Sequence, residues 1–96
     1  METVIFNLND GISKTEFIEA AEAVKKFLSD CSGFVSRRLS CAADGTWIDQ
    51  VEWQTMEDAK RAAAAIGKAD SAQPFISHID GQSVKLTHSE LEISLN

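Results

Sequence analysis

Apolar residues recur with strand and helix periods along the chain, and these periods predict the element order βαββαβ in one domain spanning residues 1–96. A first strand is predicted at about residues 3–9, where Val4, Phe6 and Leu8 alternate with less apolar neighbours. The last strand pattern changes phase around Ser89, which indicates a bulge or an arm that pairs with another chain. Its two phases are Val84, Leu86 and His88, and then Leu91, Ile93 and Leu95.

Both helices carry recognisable start and stop signals. Ser13 opens a capping box, so the first helix is predicted to begin at Lys14 and to end before Gly33. Thr55 is the predicted cap of the second helix, which ends at Gly67. A short extra helix is possible from residue 71 to 78, because its proline falls in the first turn.

Asp44 and Gly45 separate two strand patterns, at about residues 34–42 and 46–54, and predict a β-hairpin. A two-residue turn fixes the register of the two strands. The resulting pairs are Ala42 with Trp47, Ser40 with Asp49, Arg38 with Val51, and Ser36 with Trp53. This register predicts that Arg38 and Asp49 share a face with both tryptophans, and that Arg37 lies across from Glu52 on the other face.

The element order is that of the split βαβ, or ferredoxin-like, plan: an α+β domain with an antiparallel sheet and both helices on one face. The other face is then uncovered. With the register above, that face carries a contiguous apolar patch of Val35, Leu39, Cys41 and Ile48. Because soluble monomers rarely expose such a patch, we expect a homodimer whose sheets close face to face.

The amino-acid composition limits the classes of partner that the protein is expected to bind. Nine basic against 15 acidic residues give a net charge of −6, which repels phosphate backbones and anionic lipid, so neither nucleic acid nor membrane is expected. The N-terminus lacks a basic leader, and we expect a cytoplasmic protein. Cys31, Cys41, His78 and His88 have no metal-ligand spacing, so no metal is expected.

Three segments together resemble the dimeric α+β barrel superfamily, and in particular domains of the antibiotic biosynthesis monooxygenase type. They are the Gly11 turn that leads into the Phe17 helix, the Gly33–Phe34 entry to the second strand, and the stretch from Val51 to Ala59. The resemblance implies a ligand site between the sheet and the helices, with Trp53 at the position of a tryptophan near the end of the third strand. Some members oxidise anthrone-like aromatics without a cofactor. Others degrade haem with a histidine on the following helix, which is absent from Met56 to Ile66 here, so no cofactor is expected.

The candidate ligand-binding residues are Trp47, Trp53, Arg38, Asp49 and His88. Trp53 would supply a stacking wall, and Arg38 with Asp49 a polar anchor. His88 continues the phase of two apolar strand residues and is the candidate for proton transfer. Aromatic residues at strand spacing are also ordinary core residues, and a charged pair can be a plain salt bridge.

Two functions follow. The first is a dimeric domain that binds a small apolar or aromatic metabolite between sheet and helices without dedicated catalysis. The alternative is a cofactor-independent monooxygenase or isomerase-like enzyme. They are separated by whether Trp53 and His88 line one enclosed cavity.

Overall fold

The computed structural model describes residues 1–95 and has the predicted element order. The strands are β1 (Glu2–Phe6), β2 (Phe34–Cys41), β3 (Trp47–Trp53) and β4 (Lys85–His88). The α-helices are α1 (Lys14–Ala23), α2 (Lys25–Asp30), α3 (Met56–Ile66) and α4 (Gln73–His78). Short 3-10 turns lie at Asp70–Ala72 and Gly81–Ser83.

The four strands form one antiparallel sheet in the order β2-β3-β1-β4. The first and third strands are therefore central, as the two interleaved βαβ units of a ferredoxin-like fold require. This confirms the predicted α+β fold class. Among residues 1–95, no helix is long and apolar enough to cross a bilayer.

The predicted helix starts are confirmed by their caps. The Ser13 hydroxyl accepts from the Glu16 amide while the Glu16 carboxylate accepts from the Ser13 amide, so α1 begins at Lys14. Thr55 accepts from the Asp58 amide at the start of α3. The first helix is interrupted at Val24, and α2 follows it; Gly33, at φ +84°, then leads the chain into β2.

The core lies between the sheet and the helices. Phe17 of α1 packs edge-on against Phe6 and Trp47 and stacks on Phe75 of α4, with ring centroids 4.8 to 5.7 Å apart. The extra helix predicted near residues 71–78 is therefore present as α4, and it supplies a core aromatic side chain.

The predicted hairpin register is wrong by one residue. Ala42 pairs with Thr46, and Gly45 at φ +92° donates its amide to the Ala42 carbonyl, so the loop has three residues instead of two. The observed pairs are Cys41 with Trp47, Leu39 with Asp49, Arg37 with Val51, and, beyond a bulge, Phe34 with Trp53. A shift of one residue moves the β2 side chains between the hairpin loop and the bulge, Ser36 to Cys41, to the opposite face.

This shift corrects the composition of the uncovered sheet face. Leu39 and Cys41 turn toward the helices, whereas Arg38 and Ser40 lie on the uncovered face. Its centre is an isoleucine pair, Ile5 opposite Ile48, in surroundings that are otherwise mostly polar. Two of the four apolar residues predicted for this face, Leu39 and Cys41, are therefore wrong. The predicted Arg37–Glu52 pair is also wrong, because Arg37 forms its ion pair with Asp49.

The strand ends also differ from the predicted ones. The first strand leaves the ladder after Phe6, because the Asn7 amide donates to the Ser83 hydroxyl and Leu8 bridges to Ile79. The last strand ends at His88, near the predicted change of phase. Residues 89–95 form no regular element, and Ile93 and Leu95 are 87% and 95% exposed.

Candidate functional site

A cavity of about 330 Å³ lies between the sheet and the helices. All four strands and the helices α2, α3 and α4 contribute to its walls, which are mainly apolar. The apolar side chains lining it are Val4, Phe6, Val24, Leu28, Val51, Ala63, Ile66, Phe75, Ile76, Ile79, Val84 and Leu86. Ile76, Val84 and Leu86 are partly exposed and border its mouth. Its volume is at the lower end of the range of about 300 to 1,000 Å³ that is typical of ligand pockets.

The floor of the cavity carries an ion pair between Arg37 of β2 and Asp49 of β3. The Nε–H of Arg37 donates to Oδ1 of Asp49 at 3.0 Å, and Nη2–H donates to Oδ2 at 2.7 Å. The two side chains are only 14% and 10% exposed. This two-pronged geometry is the strongest form of the arginine–carboxylate interaction, and it holds both groups in one orientation.

Two further contacts restrain the guanidinium group. Its Nη1–H donates to the Ala21 carbonyl at 3.1 Å, and its central carbon lies 5.2 Å from the centre of the Phe75 ring. Arg37 has five N–H donors, of which three are used in these contacts among residues 1–95. Two N–H donors therefore have no partner among residues 1–95, and Arg37 lines both this cavity and a groove beside α1.

A second polar pair stands at the sheet edge of the same cavity. Glu2 of β1 lines the cavity, and His88, its partner on β4, places Nε2 3.0 Å from Oε2 of Glu2. His88 itself is not among the lining residues. It touches the site only through Glu2.

The two tryptophans lie in the core and do not line this cavity. Trp53 is 6% exposed and packs edge-on against Phe34, with its Nε1–H lacking an acceptor among residues 1–95. Trp47 forms part of a separate open groove between α1 and β2, which also includes Ile18 and Leu39. Trp53 and His88 therefore do not meet in one cavity.

Of the candidate residues, the structure brings Asp49 alone directly into the cavity. Arg38 is exposed on the opposite face of the sheet, because the three-residue hairpin loop reverses the predicted β2 faces. Its neighbour Arg37 takes the anchoring position. Sequence reasoning also missed Glu2. The signal for Arg37 was the alternation of β2 itself, since Arg37 is in phase with the apolar Leu39 and Cys41.

Metal-binding and thiol chemistry receive no support from the described residues. Across residues 1–95, no three His, Cys, Asp or Glu side chains cluster closely enough to hold a metal ion. Both cysteines are unpaired and partly exposed. Burial, together with the neighbouring Asp30 carboxylate, raises the pKa of the Cys31 thiol, which lowers its thiolate fraction and its reactivity.

Comparison with known proteins identifies solved structures that share this fold. No protein-family model matches the chain, and no curated protein matches its sequence. The architecture does match solved structures. An antibiotic biosynthesis monooxygenase-like protein from Bordetella bronchiseptica superposes with a TM-score of 0.81 at 9% identity, covering 96% of this chain and 95% of that one.

Two other solved structures also superpose on nearly the whole chain. A protein from Arabidopsis thaliana superposes with a TM-score of 0.75 at 14% identity, over 98% of this chain and 97% of its own. SnoaB, a cofactor-independent oxygenase from Streptomyces nogalater, gives a TM-score of 0.73 at 17% identity, over 96% and 93%. At such identities the likeness concerns the fold alone, and it confirms the predicted antibiotic biosynthesis monooxygenase-like fold.

Proposed function

We propose that this protein binds a small apolar molecule in the cavity between its sheet and its helices, without dedicated catalysis. The observation that carries the proposal is the cavity itself: about 330 Å³ of mainly apolar space with one rigid polar anchor at its floor. A few fixed polar groups in an apolar cleft are the usual composition of a ligand site.

The absence of a shared Trp53–His88 cavity favours binding over catalysis. The cavity has no nucleophile and base side by side among its lining residues, and Asp49 is engaged by Arg37. Arg37 is held by Asp49, Ala21 and Phe75, so it can position a ligand with little loss of conformational entropy on binding.

Thermal stabilisation by small aromatic and alicyclic molecules tests this function. A ligand at one hundred times its dissociation constant adds about 2.7 kcal/mol to the free energy of unfolding, which raises Tm by roughly 10 to 20 °C in a domain of this size. We expect Ala63→Leu, at the cavity wall, to abolish the shift by filling the space.

Ala65→Leu is the matched control. Ala65 is exposed on the same helix, as Ala63 is, but it does not line the cavity, so this variant should keep the full ligand shift. Loss of the shift in both variants, or in neither, would show that the molecules bind elsewhere.

The alternative, a cofactor-independent monooxygenase, is favoured by the fold shared with SnoaB and by the Glu2–His88 pair at the cavity edge. In this alternative His88 would move a proton through Glu2. Oxygen uptake during incubation with an anthrone-like aromatic substrate, in the absence of added cofactor, would distinguish it from binding alone.

We also propose a homodimer through the uncovered sheet face. The Ile5–Ile48 pair at the centre of that face and the exposed apolar residues of the C-terminal segment support it. A second copy of the chain on that face would remove the isoleucine pair from water.

A further inference from the structure

We propose that the cavity selects uncharged ligands over anionic ones, and that Asp49 sets this selectivity. The inference rests on the proposed binding function and adds to it the chemical class of the ligand. That class is a compact apolar molecule with one neutral hydrogen-bond acceptor, such as a carbonyl oxygen.

A buried arginine in an apolar cavity would ordinarily indicate a carboxylate ligand, because the guanidinium fork matches a carboxylate. Here that fork is already occupied. The edge formed by Nε and Nη2 holds both oxygens of Asp49, at 3.0 and 2.7 Å. An anion that competed for this edge would have to displace a carboxylate of the protein.

The charges around the cavity also disfavour an anionic ligand. Those that face it are Arg37, Asp49 and Glu2, with His88 bonded to Glu2. The charge of Asp49 cancels that of Arg37, and Glu2 offers no positive charge to the cavity. A desolvated anion would thus lose its hydration without gaining a free cation in return.

The two free N–H donors of Arg37 can serve a neutral acceptor. A carbonyl oxygen needs no charge compensation and accepts up to two such bonds. The arginine is therefore used as a fixed hydrogen-bond donor whose charge is balanced by the protein.

Three probes of nearly equal shape test the selectivity by titration calorimetry: acetophenone, ethylbenzene and benzoate. In the native protein we expect acetophenone to bind about tenfold more tightly than ethylbenzene, the value of one net hydrogen bond. Benzoate should bind at least tenfold more weakly than acetophenone.

The variant Asp49→Asn should gain affinity for benzoate by at least tenfold, because Arg37 is then an unbalanced cation. Glu19→Gln makes the same change in net charge on an exposed part of α1 and should leave all three affinities unchanged. The double variant Arg37→Met with Asp49→Leu removes the pair without leaving a lone charge. It should bind acetophenone and ethylbenzene equally and benzoate weakly.

The outcomes separate this inference from the function on which it rests. If none of the probes binds any form of the protein, the cavity function itself fails. If ethylbenzene binds but benzoate matches acetophenone in the native protein, the selectivity alone is overturned. Should Asp49→Asn fail to fold, an acetophenone preference that persists in the double variant overturns the role of the pair.

Discussion

At the scale of single residues, the Arg37–Asp49 pair is the feature whose removal should matter most. Truncating one partner leaves the other as a charge in a mainly apolar layer, and such losses typically cost about 3 to 5 kcal/mol. We expect Arg37→Met to lower the free energy of unfolding by an amount in this range, measured by urea denaturation. The loss of packing on Phe75 contributes to the same effect.

The adjacent Arg38 offers a matched control for that measurement. It has the same side chain on the same strand but is exposed on the opposite sheet face of the single chain, so at concentrations low enough to keep the chain monomeric Arg38→Met should change stability by no more than about 0.5 kcal/mol. Equal losses in the two variants would contradict the assignment of the β2 faces.

These two neighbouring arginines also show why site residues are difficult to predict at this scale. Asp49 could be placed beside an arginine from the hairpin alone, because cross-strand partners follow from the turn. Which arginine it meets depends on a loop of two or three residues, and Asp44 and Gly45 are compatible with both lengths. The Asp44 carboxylate accepts from the Thr46 amide, which lowers the pKa of this carboxyl and ties the loop to its three-residue form.

At the scale of secondary-structure elements, Gly33 determines how β2 approaches α3. Gly33 and Gly11 have nearly the same positive φ, +84° and +86°, so alanine incurs similar backbone strain at either position. A Cβ at Gly33 would in addition collide with the Asp58 side chain, whereas one at Gly11 would meet no atom within 4 Å.

We therefore expect Gly33→Ala to be more destabilising than Gly11→Ala by about 1 to 3 kcal/mol, the usual cost of overpacking. Asp58 has little freedom to move away, because its carboxylate accepts from Arg61 and it lies in the first turn of α3. Denaturant unfolding of the two variants measures the difference. Equal stabilities would mean that the β2–α3 junction adjusts without cost.

Element boundaries were predictable where the signal is local. The capping residues Ser13 and Thr55 act within one helical turn, and both predicted starts are confirmed. The end of β1 was not predictable from its own residues, because Asn7 leaves the sheet to bond with Ser83, 76 positions away. Long-range contacts of this kind leave no periodic trace in a short segment.

At the scale of the whole molecule, the layered fold followed from the order of the elements, but the cavity did not. Its walls combine residues that are far apart in the sequence, such as Val4 and Leu86, which pair across two strands. Its volume depends on how closely the small residues of α3 and the added helix α4 approach the sheet. The alanines in the sequence of α3 predict that this helix packs closely on the sheet. Only the positions of all the elements together show where space remains.

The assembly state is the last prediction that belongs to the whole molecule. We expect sedimentation velocity to give a mass of twice the 10.5 kDa chain. Ile48→Lys should convert this species to monomer, because it places a charge at the centre of the proposed interface, opposite Ile5. Ala65→Lys adds the same charge to the helical side and should leave the dimer intact. A native protein that sediments as a monomer at micromolar concentration would contradict the dimer, while the cavity lies within one chain and its ligand binding would be unaffected.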